Sequence, residues 1–179
     1  SDYKYARNDQ GLISINTKIG PEYINNLKIL NFQDKSIDVK NDIFSILNTI
    51  KSIDDITGIV FRLYDVFLDT FPDHEGFRYW INNYSQGIDS YEVIKQSFLN
   101  KSNTFGSLSM KSRKNEFFLK TTYQKILDRD YDINGYNYWL NLLNNDEISR
   151  KDLLFSFFES DEHKDIYTKI LGLSNNKLI

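Results

Sequence analysis

The chain repeats itself once, and that repetition constrains its fold more than any other feature. Tyr64 to Phe105 can be set, without a gap, against the residues 59 positions further on. Identical pairs then fall at Tyr64/Tyr123, Leu68/Leu127, Asp69/Asp128, Asp73/Asp132, Gly76/Gly135, Tyr79/Tyr138, Trp80/Trp139, Asn82/Asn141, Ser90/Ser149, Ser97/Ser156 and Phe98/Phe157. Both tryptophans of the protein share one repeat position, inside the pattern Asp-x-x-Gly-x-x-Tyr-Trp. Self-similarity at a fixed offset is the signature of a duplicated structural unit.

Each copy reads as three helices. Ile56, Ile59, Val60, Leu63, Tyr64, Phe67 and Leu68 follow helical spacing, with Asp54 or Asp55 as the N-cap. That helix is expected to end near Leu68, and its counterpart near Leu127. A short polar turn follows, and Asp73 or Asp132 is placed to accept the free N–H groups of the second helix. The second helix carries Tyr79, Trp80 and Tyr84 in one copy and Tyr138, Trp139, Leu142 and Leu143 in the other. Ser90 and Ser149 are expected to cap the third, whose apolar side includes Val93, Ile94, Phe98 and Leu99, or Leu153, Leu154, Phe157 and Phe158. A closing helix over 161–171 stops at Gly172.

The N-terminal residues have a different period. Ile13, Ile15, Thr17 and Ile19 alternate with polar residues, as a half-buried strand does, before Gly20-Pro21 breaks the chain. Leu27 and Ile29, then Ile37 and Val39, suggest two more strands around a turn near Gln33-Asp34-Lys35. From about residue 42, Ile43, Ile46, Leu47 and Ile50 mark a short lead-in helix. The expected fold is therefore mainly α with a small N-terminal β element (1–41). A first helical copy with its lead-in helix (42–108) and a second with its closing helix (109–179) complete a tandem duplicated three-helix module.

Composition excludes several classes. With 40% hydrophobic and 26% charged residues the chain is too apolar to be disordered. A net charge of -3 argues against a dedicated nucleic-acid binder, which must neutralise phosphates. The basic run Lys111-Ser112-Arg113-Lys114 reads as a solvated face. The absence of cysteine rules out disulfides, zinc ribbons and thiol catalysis. No apolar run nears the ~20 residues needed to cross a bilayer, so no membrane insertion is expected. Residues Ser1 to Arg7 lack the layout of a signal peptide. With Ser first, the chain reads as a piece of a longer protein whose targeting signals lie elsewhere.

The repeats resemble a bacterial domain-of-unknown-function family with a consensus close to Tyr-x-x-hydrophobic-Leu-Gly-Arg-x-Pro-Asp-x-x-Gly-x-x-Tyr-Trp. The resemblance covers about residues 60–167, with two copies of the motif. The first copy keeps Pro72 but has Thr70 where the family has Arg. The second keeps Arg129 and has Tyr131 for Pro, and both have Asp in place of the first Gly. Modules of that family often sit in large exoproteins that carry repeats-in-toxin sequences and leave the cell by type I secretion. There they follow a β stretch that Leu27 to Ile37 resembles. The resemblance thus implies a secreted or cell-surface location and no particular chemistry. A weaker similarity runs to the helical linker domains of phycobilisomes, the light-harvesting antenna complexes.

Candidate sites are few. Asp130-x-Asp132-x-Asn134-Gly135 matches the first half of a calcium loop, but Asn141 stands where a bidentate carboxylate should close it, so tight calcium binding is not expected. Trp80 and Trp139 are expected to fill the helical core, with the indole N–H on a backbone carbonyl; the competing reading is an aromatic platform for sugar or peptide. Gly76 and Gly135 read as close-approach positions. His74 and His163 lack metal spacing and read as surface residues. There is no phosphate loop, no nucleophile elbow and no spaced carboxylate pair, so neither a catalytic site nor a cofactor is expected. The motif residues Tyr64, Asp73, Gly76, Tyr79, Trp80, Tyr123, Asp132, Gly135, Tyr138 and Trp139 are expected to be structural.

These readings combine into a non-catalytic accessory or interaction domain of an exported or cell-surface protein, acting in packing, presentation or attachment. Its partner would be another protein or other domains of a larger parent chain. The alternatives are a carbohydrate- or calcium-assisted surface-binding module and an intracellular scaffold.

Overall fold

A computed structural model describes residues 4–8, 10–17, 20–31, 36–107 and 111–173. The chain is mainly helical with a small N-terminal β region, and it forms two compact units: Ser1–Lys101 with Tyr167–Ile179, and Ser102–Ile166.

The first unit opens with strands β1 (Tyr5–Arg7), β2 (Ile13–Thr17) and β3 (Gly20–Tyr23), antiparallel in the order β1-β2-β3. Ile13 and Ile15 are buried as their alternation predicts, with Tyr5 directly opposite Ile15 and buried too. Gly20-Pro21 does not break the chain. It starts β3, with Pro21 opposite Asn16 on an edge strand, where a missing N–H removes no ladder bond. β4 (Ile29–Asn31) and β5 (Ser36–Asp38) form a separate antiparallel pair where two further strands are expected, but Leu27 and Ile29 are exposed and Val39 belongs to the helical segment that follows. Ile19 and the turn at Gln33-Asp34-Lys35 lie outside the described residues.

Helical structure begins slightly before the period suggests. A π-helical segment, Val39–Phe44, runs into α1 (Ser45–Thr49), and Ile43, Ile46, Leu47 and Ile50 are buried along it. α2 (Ile56–Leu63) is capped by Asp55, whose carboxylate accepts the N–H groups of Thr57 and Gly58 at 2.8 and 3.1 Å. It continues as a π-helical turn, Tyr64–Leu68, and α3 (His74–Ser85) and α4 (Tyr91–Lys101) follow. Val60, Leu63, Phe67, Phe77, Ile94 and Phe98 form the buried centre. Each contributes ~1.5–3 kcal/mol by leaving water. Val93, expected on the apolar side of α4, is 48% exposed. Ile94 and Phe98 define the inward face, and a neighbour in sequence sits about 100° around the helix from it.

The end of α8 (Asp161–Ile170) closes this unit. Tyr167 stacks edge-on against Phe61 at 6.3 Å, and its hydroxyl donates to Asp65. Arg7 Nε donates to the Leu171 carbonyl at 2.9 Å. Gly172 stops the helix at φ +57°, where a Cβ would fall 2.6 Å from the Asn8 carbonyl oxygen.

The second unit contains α5 (Asn115–Leu127), α6 (Ile133–Asn144), α7 (Arg150–Phe158) and the start of α8. Phe105, Phe118, Leu119, Ile126, Leu153, Leu154 and Phe158 are buried in it. Ser149 caps α7 by accepting the Asp152 N–H at 3.1 Å. Arg150 ties the first turn of α7 to the approach of α5, through Asn115 Oδ1 at 2.9 Å and the Arg113 carbonyl at 2.5 Å.

His163 corrects the sequence reading. It is fully buried, with Nδ1 2.8 Å from the Phe158 carbonyl and its ring 5.0 Å from that of Phe158. Its polar neighbours Asp161, Glu162 and Asp165 take the outer side of the helix, whereas His163 and Tyr167, four apart, share the inner one. His74 is half-buried, with Nδ1 3.1 Å from Ser45 Oγ. Among the described residues no helix is long and apolar enough to cross a membrane.

Candidate functional site

The motif residues assemble into two turns of matching geometry. The helix before each turn ends on a left-handed aspartate, Asp69 at φ 54° and Asp128 at φ 51°. Four residues later an aspartate caps the next helix. Asp73 Oδ1 accepts the Gly76 N–H at 2.7 Å, and Asp132 Oδ1 accepts that of Gly135 at 2.7 Å. The tyrosine of the preceding helix lays its hydroxyl over that glycine. A Cβ on Gly76 would fall 2.4 Å from the Tyr64 hydroxyl, and one on Gly135 would fall 2.7 Å from the Tyr123 hydroxyl. The close approach expected at these glycines is therefore made by a phenol.

The aromatic contacts correspond as well. Tyr64 meets Phe98 edge-on at 5.0 Å, and Tyr123 meets Phe157 at 4.9 Å. Trp80 lies 5.4 Å from Phe98, and Trp139 lies 5.6 Å from Phe157. Tyr79 and Tyr138 pack edge-on against their neighbouring indoles at 5.2 and 5.1 Å, yet are 55% and 59% exposed.

One detail differs from expectation. The indoles are half-buried, because Phe77 in α3 and Tyr136 in α6 take the inward position.

Electrostatics separates the two turns. Burial and then the Asp73 carboxylate push the Tyr64 phenol up to about 12, against the opposing hydrogen bond from Trp80. Burial and then Asp132 raise Tyr123 too, but there the Arg129 guanidinium opposes the shift. Asp132 is held below the usual carboxylate range, first by the Gly135 N–H and also by Arg129. Arg129 stands 5.2 Å over the Tyr123 ring and grips Glu162 through two contacts of 2.5 and 3.0 Å. It also donates to the Asp130 carbonyl at 3.0 Å and lies 3.7 Å from Asp132. The first turn has Thr70 at this position, whose hydroxyl reaches only the Phe71 carbonyl at 3.2 Å.

Beside Thr70 the first unit has a cavity of about 400 Å³. Tyr5 and Phe71, edge to face at 4.8 Å, and Tyr64 give it aromatic walls. Asp42, Asp65, Asp69 and Asp73 give it carboxylates, against Lys4 as its ammonium and His74 at one side. Asp42 accepts the Asp38 N–H at 2.7 Å, and Asp65 lies 3.9 Å from Lys4 Nζ. The sequence did not point to this cavity, since its walls come from β1, the lead-in helix and the turn. Thr70, the departure from the repeat pattern, was the one available signal.

The residues of the half calcium loop have other roles. Asp132 caps α6, Asp130 Oδ1 lies 3.4 Å from Gln124 Nε2, and Asn134 is exposed. Among the described residues no cluster of three or more His, Asp or Glu is set to hold a metal.

Residues 95–167 match the model of a family described as a domain of unknown function (DUF4214). The match supports the resemblance to a bacterial domain-of-unknown-function family over that stretch. It takes in the whole second motif turn and only the end of the first copy, from Lys95. No curated protein and no solved structure matches the chain.

Proposed function

We propose that the chain is a non-catalytic accessory domain of an exported or cell-surface protein, built on a tandem duplicated three-helix module and serving packing, presentation or attachment. The observation that carries this reading is the use to which the motif is put. In both turns Asp caps a helix, Gly admits a phenol and Trp braces a phenylalanine, and this supports a scaffolding use of the repeated residues. The same construction leaves Tyr79 and Tyr138 projecting at corresponding places. Exposed aromatics of this kind are favoured contact residues in interfaces. The exported location is part of the proposal and rests on the sequence resemblance alone.

Fractionation of the producing cells tests the proposal. Detection of the parent protein in culture supernatant, or its digestion by protease added to intact cells, supports it. Retention in a protease-protected cytosolic fraction contradicts it. Photo-crosslinking residues placed at positions 79 and 138 should capture a neighbouring protein in those cells, whereas a control at Asn137 should not.

One observation favours a second reading. An exposed Tyr beside a half-buried Trp is also the surface on which a sugar ring stacks. Binding of cell-envelope polysaccharide that quenches tryptophan fluorescence, and is lost in Tyr79→Ala/Tyr138→Ala, would support carbohydrate attachment over protein attachment.

A further inference from the structure

We infer that the cavity beside Thr70 is a binding site for a guanidinium group, which would take the place that Arg129 fills from within the chain in the second turn. The inference rests on the duplicated-module reading, because it treats the two turns as equivalent. In the second turn a guanidinium sits over a phenol, beside a capping carboxylate and against the carbonyl of the next residue. The first turn has the same phenol in Tyr64, the same capping carboxylate in Asp73 and the corresponding carbonyl at Phe71, which the Thr70 hydroxyl reaches. The side chain is missing, and an open cavity of about 400 Å³ adjoins the position. Replacing an arginine by a threonine removes a planar cation and leaves the phenol, the capping carboxylate and the carbonyl. The counterpart of Glu162, which Arg129 grips, is Asn103, so the second carboxylate for a bound group has to come from the cavity lining.

The lining has the matching charge. Asp42, Asp65, Asp69 and Asp73 outnumber Lys4, which stands 3.9 Å from Asp65 with 60% of its side chain exposed. A guanidinium suits this lining better than an ammonium. Its flat face stacks on phenol and phenyl rings while its edge forks to carboxylates, and it sheds water more readily than a compact ammonium does. The source of the group is either a free small molecule or an arginine side chain presented by a polypeptide, and the two call for the same chemistry.

Titration calorimetry on the full chain, with agmatine, N-acetyl-L-arginine methylamide and cadaverine as probes, tests the inference. Saturable binding of a guanidinium probe at low-millimolar concentration or tighter is expected, with cadaverine at least ~10-fold weaker. Tighter binding of the arginine methylamide than of agmatine assigns the site to polypeptide arginine, and the reverse assigns it to a free small molecule. Thr70→Arg should weaken the guanidinium probe at least ~10-fold by supplying the group internally, whereas Thr70→Ala should leave binding within about twofold. Asp42→Asn keeps an acceptor for the Asp38 N–H while removing a charge, and should weaken binding several-fold without loss of fold. Absence of saturable binding, equal binding of cadaverine, or binding unchanged by both Thr70→Arg and Asp42→Asn overturns the inference. Melting temperature keeps its failure apart from failure of the module reading. A Thr70→Arg chain at least as stable as wild type, with no ligand bound by wild type, removes the site and leaves the equivalence of the turns standing. A Thr70→Arg chain that unfolds contradicts the equivalence, and the inference falls with it.

Discussion

Gly76 has no side chain because the hydroxyl of Tyr64 occupies the space where one would be, with 2.4 Å between that oxygen and the position of a Cβ. Gly135 stands in the same relation to Tyr123, at 2.7 Å. A helix-opening glycine costs conformational entropy, and in both turns it is retained for the phenol packed above it. The pattern Asp-x-x-Gly-x-x-Tyr-Trp is thus half of a longer one that begins with the tyrosine twelve residues before the glycine.

Truncating the tryptophan should cost less than enclosure in a core would imply. Trp139 is half-buried and braces Phe157 at 5.6 Å, so Trp139→Ala should destabilise the chain by ~1–3 kcal/mol, below the ~3–5 expected for a fully buried ring. Tyr138→Ala, at 59% exposure, should stay within ~0.5 kcal/mol of wild type. Urea unfolding of the two variants checks both values. A larger loss for Tyr138→Ala than for Trp139→Ala would invert the assignment of support and surface.

The helical periodicities of the sequence carried most of the architecture because each buried face repeats its own spacing. Ile43, Ile46, Leu47 and Ile50 point inward as a set, and the caps at Asp55, Asp73, Asp132 and Ser149 all form. What stayed hidden depended on contacts distant in sequence. β1 is three residues with no alternation of its own, and it is held by pairing with β2. His163 looked solvated because its neighbours are charged, whereas burial follows the four-residue spacing to Tyr167. Of the motif residues, the tyrosine–glycine pairing was not legible, since a hydroxyl over a glycine leaves no compositional trace. The acidic cavity was not legible either, with walls drawn from segments some sixty residues apart.

Alkaline pH should unfold the chain in part through Tyr64. Its phenol is raised from 10.0 to about 12 in the folded chain, so the folded state prefers it neutral. That preference contributes in full below the unfolded value of 10.0 and is lost as pH rises through about 12. Urea midpoints should therefore decline across this window, while the ultraviolet absorbance of tyrosinate shows a late-titrating fraction that includes Tyr64 beside Tyr123 and Tyr136, whose phenols are raised too. In Tyr64→Phe that fraction should shrink by one phenol and the decline should be shallower. A late fraction unchanged in that variant would take Tyr64 out of it.

The Arg129–Glu162 pair should be a modest, salt-sensitive contributor. Its geometry is two-pronged, but the side chains are 38% and 46% exposed. Glu162→Gln should cost about 1 kcal/mol at low ionic strength and less in molar salt, as screening removes the Coulombic part. Thermal melts at the two ionic strengths check this, and a loss that grows with salt would contradict it.

The central claim is that the two motif turns are built alike, and paired double-mutant cycles test it most directly. Gly76→Ala and Gly135→Ala should each destabilise the chain by ~1–3 kcal/mol, because the new methyl collides with a fixed phenol oxygen. Removing that oxygen with Tyr64→Phe or Tyr123→Phe should relieve part of the collision. Each double variant should then be more stable than the sum of its singles predicts, by ~0.5–2 kcal/mol. The account predicts favourable coupling of the same sign and similar size for Tyr64/Gly76 and Tyr123/Gly135. Coupling in one turn with simple additivity in the other would contradict it.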